Sequence, residues 1–165
     1  MKLNLQILNE RNVNQTYLDW YSDKEVTYYS NNQYRSFSIE GQKRYVNSCL
    51  SEKDVDLFGI FDENFHIGNV LISGLTSVHK CAEITYMVGN RKYWGKGVGF
   101  YAVSEIIFKA KSVYKLNKLY AGIAEGNFGS QRVLEKNGFE LEGRRINHLF
   151  FGGKFYNQLD YGLLL

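Results

Sequence analysis

The chain has 165 residues, 44% apolar and 22% charged, the composition of one globular domain able to bury a full core. A net charge of +3, with no basic run interleaved by aromatics, gives no footing for nucleic-acid binding, and nothing approaches the ~18 apolar residues of a membrane span. Cys49 and Cys81 lack metal-ligand spacing and MKLNLQILNERN lacks a signal-peptide core. The expectation is one cytoplasmic domain over residues 1–165, with reduced thiols and no metal.

Proline is absent, so Gly, Asn and Asp must mark the turns. LNLQIL (3–8) alternates as a first strand, and 13–23 has helical spacing with Asn12 or Asn14 as its cap. Residues 24–38 are polar and tyrosine-rich, hence a loop. Ser38 with Gln42, or Ser36 with Glu40, then caps a helix running to about Leu50. DLFGIFD (56–62), the turn Asp62-Glu63-Asn64 and FHIGNVLISGL (65–75) read as a hairpin, with 80–89 as the next strand of a meander. From Val98 to Tyr114 the residues Val98, Ala102, Val103, Ile106, Ile107, Ala110 and Val113 recur on one helical face. KLYAGIAE (118–125) is a central strand, and 129–137 a short helix closed by Gly138. Two strands around Gly152-Gly153 finish the chain. The expected fold is α/β with a mixed, mostly antiparallel sheet of about seven strands and about four helices.

The segment NRKYWGKGVGFYAVSE (90–105) carries the chemistry. Gly95, Gly97 and Gly99 alternate between a strand and a helix, where they let the backbone turn and approach a ligand. The helix behind them begins with unpaired N–H groups and a positive dipole end, an anion site. A tight structural turn is the plain alternative. The spacing fits neither the Walker pattern nor the dinucleotide fingerprint, and a β-meander precedes it. A second cluster, GNFGSQRVLEKNGFELEG (126–143), holds Asn127, Ser130, Lys136, Gly138 and Phe139 in fixed register.

Together these segments resemble the general N-acetyltransferase (GNAT) superfamily. Trp94-Gly95-Lys96-Gly97-Val98-Gly99 fits its Gln/Arg-x-x-Gly-x-Gly/Ala signature except that Trp94 replaces the Gln or Arg. WYSDKEV (20–26), YWGKG (93–97) and VLEKNGFELEG (133–143) are similar to the branch of ribosomal-protein N-terminal acetyltransferases. The resemblance implies that the chain uses acetyl-CoA and that the amides of Gly95 to Gly99 hold its pyrophosphate. It also implies that main-chain groups of Met87 and Val88 pair with the pantetheine arm and that Asn127 contacts that arm, a role compatible with a helix cap. Lys92, Lys96 and Lys136 are candidates for outlying phosphates, each equally readable as a solvated lysine.

An amine of pKa ~10.4 costs about 4–5 kcal/mol to deprotonate at pH 7, so a base is needed. Glu83, in the strand AEITYMV, is the candidate, with burial raising its basicity. A strand glutamate paired with an Arg or Lys is the other reading. Many relatives protonate the leaving thiolate with a tyrosine where this chain has Leu134, and Ser130 is the replacement in the resembling branch. Tyr28, Tyr29, Tyr34 and Arg35, with His148 of the last hairpin, are the expected acceptor side. The acceptor is a small-molecule amine, such as an amino sugar or sugar nucleotide, or a protein N-terminus. A non-catalytic acyl-CoA-binding module is the alternative, and edge strands at the C-terminus make a homodimer plausible.

Overall fold

The computed structural model describes residues 1–165. Its seven-stranded sheet has the spatial order β1 (Leu3–Ile7), β2 (Val55–Asp62), β3 (Phe65–Ser73), β4 (Cys81–Val88), β5 (Lys118–Ala124), β7 (Lys154–Leu164) and β6 (Glu140–Phe151). All neighbours are antiparallel except β4 and β5, which run parallel and pair only at Cys81↔Lys118, Ala82↔Leu119 and Glu83↔Tyr120. Beyond Glu83 the two strands part, and the sheet is split open between Ile84–Val88 and Ala121–Ala124.

Five helices flank the sheet: α1 (Gln15–Ser22), α2 (Lys24–Thr27), α3 (Ile39–Ser51), α4 (Val98–Ser112) and α5 (Phe128–Lys136). The fifth is α2, inside the segment expected to be loop. Asp23 caps it by accepting from the Glu25 amide at 2.9 Å, and Ser30 starts a further 3-10 turn over Asn31–Tyr34. Such side-chain caps satisfy orphan amides in segments too short for a periodic signal. Asn14 is the cap of α1 and Ser38 that of α3. Gln42 does not return to Ser38; it is buried and donates to the Tyr17 hydroxyl at 2.9 Å.

One face of the sheet packs against α4 and α5. Val98, Ala102, Val103, Ile106 and Ala110 of α4 are buried against Ala82, Ile84, Leu119 and Ala121. Val113, expected in that stripe, follows the last residue of α4 and is 63% exposed. The opposite face of β1–β3 is covered by α1 and α3, where Tyr17, Leu18, Trp20, Val46 and Cys49 meet Leu57 and Phe61. No such cover lies over Glu83 and Thr85, which are exposed on that second face of β4.

His66 is enclosed by this second core. Its ring stacks on Phe61 at 4.9 Å and meets the edge of Trp20 at 4.9 Å. Nε2 lies 2.7 Å from Asn69 Oδ1, while Nδ1 has no partner. Burial pushes its pKa below the ordinary 6.5. The unfolded chain therefore takes up a proton near pH 6.5 that the folded chain resists. The stability tied to His66 is complete above that pH and is lost as pH falls from there through the folded value. Urea unfolding at about pH 8 and about pH 5 should show this loss in the native chain and a smaller one in His66→Gln.

Candidate active site

The turn between β4 and α4 is built for an exposed backbone. Gly95 (φ +72°) and Gly97 (φ +82°) are left-handed, and a Cβ added at either would meet nothing within 4 Å. Gly97 caps α4 with no side-chain cap. The amides of Gly95, Gly97, Val98, Gly99 and Phe100 make no hydrogen bond within the protein. Four of these donors open α4 and the fifth, that of Gly95, lies in the turn before it, an arrangement with the chemistry to accept an anion. Gly99 differs from the other two glycines. It is helical and buried, and a Cβ there would lie 3.2 Å from Val133 Cγ2, so its smallness serves the approach of α5 to α4.

Trp94, half exposed, ties the turn to β4 by donating Nε1–H to the Val88 carbonyl at 2.7 Å. Lys96 lies over the Tyr93 ring at 5.8 Å and Lys92 is exposed. Lys136 is exposed in the last turn of α5, which leans on the first turn of α4 through Asn137 Nδ2–H donating to the Phe100 carbonyl at 3.3 Å.

The open edge of β4 follows from the ladder. The Gly74 amide donates to the Asp54 carbonyl, so even-numbered residues of β3 bond β2 and odd-numbered ones bond β4. With Asn69 opposite Met87 and no register shift, the main-chain groups of Glu83, Thr85 and Met87 point to β3. Consistently, a Cβ at Gly68 would collide with the Met87 carbonyl oxygen. Met87 is therefore not a main-chain donor to the opening, contrary to expectation. Tyr86 and Val88 face it instead, with the Val88 carbonyl held by Trp94 and its N–H on the open side.

Across the gap, Asn127 caps α5 by accepting from the Ser130 amide at 3.2 Å. Ser130 is half-buried; its carbonyl accepts from the Tyr86 hydroxyl at 3.1 Å and its own hydroxyl makes no hydrogen bond. Leu134 is fully buried in the core. Placing the larger tyrosine there overpacks that core, so Leu134→Tyr should cost roughly 1–3 kcal/mol, read as a lower urea midpoint.

Glu83 sits at the closed end of the split, beside Tyr120. It is exposed, not buried as expected, and no Arg or Lys pairs with it. Burial and the Glu83 charge raise the Tyr120 pKa. Three other carboxylates nearby are clamped by cations, while Asp54, whose charge also acts on Tyr120, accepts from the Thr76 amide and hydroxyl. Glu142 pairs with Lys118 at 2.6 Å, Glu125 with Arg144 at 2.8 Å and Asp160 with Arg145 at 2.8 Å. Arg144 and the Asn157 amide hold the Glu125 carboxyl below the usual range. Sequence reasoning missed these ion pairs, because they depend on β7 lying between β5 and β6.

Tyr28, Tyr29 and Tyr34 do meet the last hairpin. The Tyr28 hydroxyl lies 3.0 Å from that of Tyr156, and Tyr34 donates to the Phe150 carbonyl at 2.7 Å. Tyr29 packs edge-on against Tyr28 at 4.8 Å and Tyr156 at 5.6 Å. The 24–34 segment thus bridges from α1 to the β6–β7 hairpin. Arg35 is not among this group; it lines a separate cleft with Gln15, Tyr21 and Lys24. His148 is exposed where the β6–β7 register breaks between Arg145 and Leu149, and it makes no hydrogen bond.

A mixed sheet that splits open between two strands beside a turn of unpaired amides defines the class, an α/β domain with a cleft at the split. The chain belongs to the acetyltransferase (GNAT) domain family, whose model matches residues 2–140. It is 34% identical over 113 residues to the probable N-acetyltransferase YjcK of Bacillus subtilis, covering 65% of this chain and 62% of that protein. The chain spans 55% to 62% of the length of the curated relatives it matches. Among solved structures it resembles spermidine N-acetyltransferase from Vibrio cholerae in complex with CoA and spermine, with TM-score 0.87, 18% identity and coverage of 99% and 95% of the two chains. The ribosomal-protein-S5-alanine acetyltransferase from Vibrio fischeri gives TM-score 0.87 and 21% identity over 99% and 93%. At these identities the likeness is one of fold. No helix is long and apolar enough to cross a membrane.

Proposed function

We propose that the chain transfers the acetyl group of acetyl-CoA to the primary amine of a small acceptor by direct attack. The observation that carries this reading is the row of amides from Gly95 to Phe100 without acceptors, opening onto the unpaired edge of β4. These amides, with Lys96 and Lys136 at the rim, would hold the donor's phosphates, and the Tyr86 and Val88 edge with Asn127 its pantetheine arm. The Val88 N–H is the preorganised donor for the carbonyl oxygen that gains charge as the amine attacks. Glu83, free of any cation but roughly 16 Å along β4 from Val88, takes the amine's proton through bridging water.

The ion pairs favour a monoamine over a polyamine. Glu125, Glu142 and Asp160 are already neutralised and Asp54 is engaged by Thr76, which leaves Glu83 as the carboxylate at the split with neither a cation nor a hydrogen-bond donor. The walls of Tyr28, Tyr29 and Tyr156 suit a sugar-sized acceptor that stacks and hydrogen-bonds. The deciding experiment follows thiol release from acetyl-CoA with amino sugars, sugar nucleotides, N-terminal peptides and spermidine. Turnover on the sugars supports the reading, and turnover confined to peptides moves the acceptor to a protein N-terminus. Tight donor binding with no turnover on any amine leaves a non-catalytic acyl-CoA-binding module.

A further inference from the structure

We propose that the Tyr29 hydroxyl is the acid that protonates the departing coenzyme A thiolate, an inference that rests on the acetyltransferase reading above. Position is the first support. A Cβ at Gly126 would lie 3.3 Å from the Tyr29 hydroxyl oxygen. Gly126 joins the end of β5 to Asn127, so that oxygen stands at the wide end of the split, opposite the free edge of β4.

Availability is the second. The neighbouring phenols are engaged: Tyr28 with Tyr156, Tyr34 with the Phe150 carbonyl, Tyr86 with the Ser130 carbonyl. The Tyr29 hydroxyl makes no hydrogen bond within the protein. Its ring is nevertheless fixed, edge-on to Tyr28, Phe151 and Tyr156. Tyr120 is also unbonded, but it pairs with Glu83, five residues along β4 from the Val88 N–H that receives the thioester carbonyl, whereas Tyr29 stands at the Val88 end of the split. Ser130 is a weaker acid than a phenol, and Leu134 offers no proton at all. Burial and the neighbouring Tyr28 raise the Tyr29 pKa, so the phenol holds its proton at neutral pH.

In the step itself, the ammonium first gives one proton through water to Glu83, which releases it to solvent; the neutral nitrogen then bonds to the acyl carbon, and its second proton follows the same route to Glu83. The carbon–sulfur bond breaks with its electron pair on sulfur, and sulfur takes the proton of the Tyr29 O–H. Water returns a proton to the phenolate, and Glu83 releases one to water.

The test titrates the thiol of bound coenzyme A by its ultraviolet thiolate absorbance, which needs no known acceptor. A phenol donating to sulfur stabilises the thiolate. In Tyr29→Phe the bound thiol should therefore deprotonate about one pH unit higher than in the native complex, a tenfold shift. On any acceptor found, kcat should fall about 10²-fold with the KM for acetyl-CoA unchanged. Superimposable titrations of the native and Tyr29→Phe complexes overturn the proposal, as does a shift seen in Tyr120→Phe instead. A native protein that binds no coenzyme A overturns the acyl-donor reading itself, and this inference with it. Far-ultraviolet dichroism of Tyr29→Phe, which keeps the ring, confirms that the variant is folded.

Discussion

Gly97→Val should weaken acetyl-CoA binding by roughly 10- to 100-fold while leaving a folded protein. Hydrogen bonds to charged groups contribute about 1.5–3 kcal/mol each, and a branched side chain at this position both displaces the phosphate and re-aims the amides around it. The effect falls on the ligand because the native chain has nothing there to strike: a Cβ at Gly97 meets no atom within 4 Å. The fold does carry a cost from φ +82°, about 1–2 kcal/mol for a residue with a Cβ, or a drop in Tm of roughly 2–8 °C. Calorimetric titration with acetyl-CoA, beside a thermal scan, separates the two effects. An unchanged Kd would show that these amides do not hold the donor.

Glu83→Gln should lower kcat by roughly 10²- to 10³-fold at neutral pH, with the KM for acetyl-CoA unchanged. The residue is exposed and unpaired, so the substitution breaks no ion pair and stability should stay within about 0.5 kcal/mol. The deficit should shrink as pH rises toward the amine's own pKa, because the acceptor then loses its proton without help. A rate–pH profile of native and variant enzyme on the same amine reads this out. Equal rates near pH 7 would remove Glu83 from the reaction and turn attention to another proton acceptor.

Much of this site was legible in the chain before its fold. The alternating glycines between a strand and an apolar-striped helix pointed to the turn whose amides lack acceptors, and the strand periodicity found all seven strands. The roles of individual residues were less visible where they depend on partners distant in sequence. Gly99 looked like a third ligand-facing glycine, but its neighbour is Val133 on another helix. Met87 and Val88 are adjacent, yet only one can face the opening. Which one is decided by the pairing of Gly74 with Asp54, two strands away. The expectation that Glu83 is buried failed because the core under α1 and α3 reaches β4 only at Met87 and leaves the Glu83 end uncovered. The 24–38 segment read as loop because α2 and its neighbouring turn are shorter than the helical period needs, and Asp23 and Ser30 hold them by capping.

The narrow contact between β4 and β5 also bears on motion. Four strands on one side and three on the other are each laced by long antiparallel ladders, but only three parallel rungs join the two blocks. That seam is the natural place for the blocks to rock against each other. An acyl donor lodged in it, as proposed, would add a rung, so filling the site would stiffen the whole molecule and not merely the glycine turn.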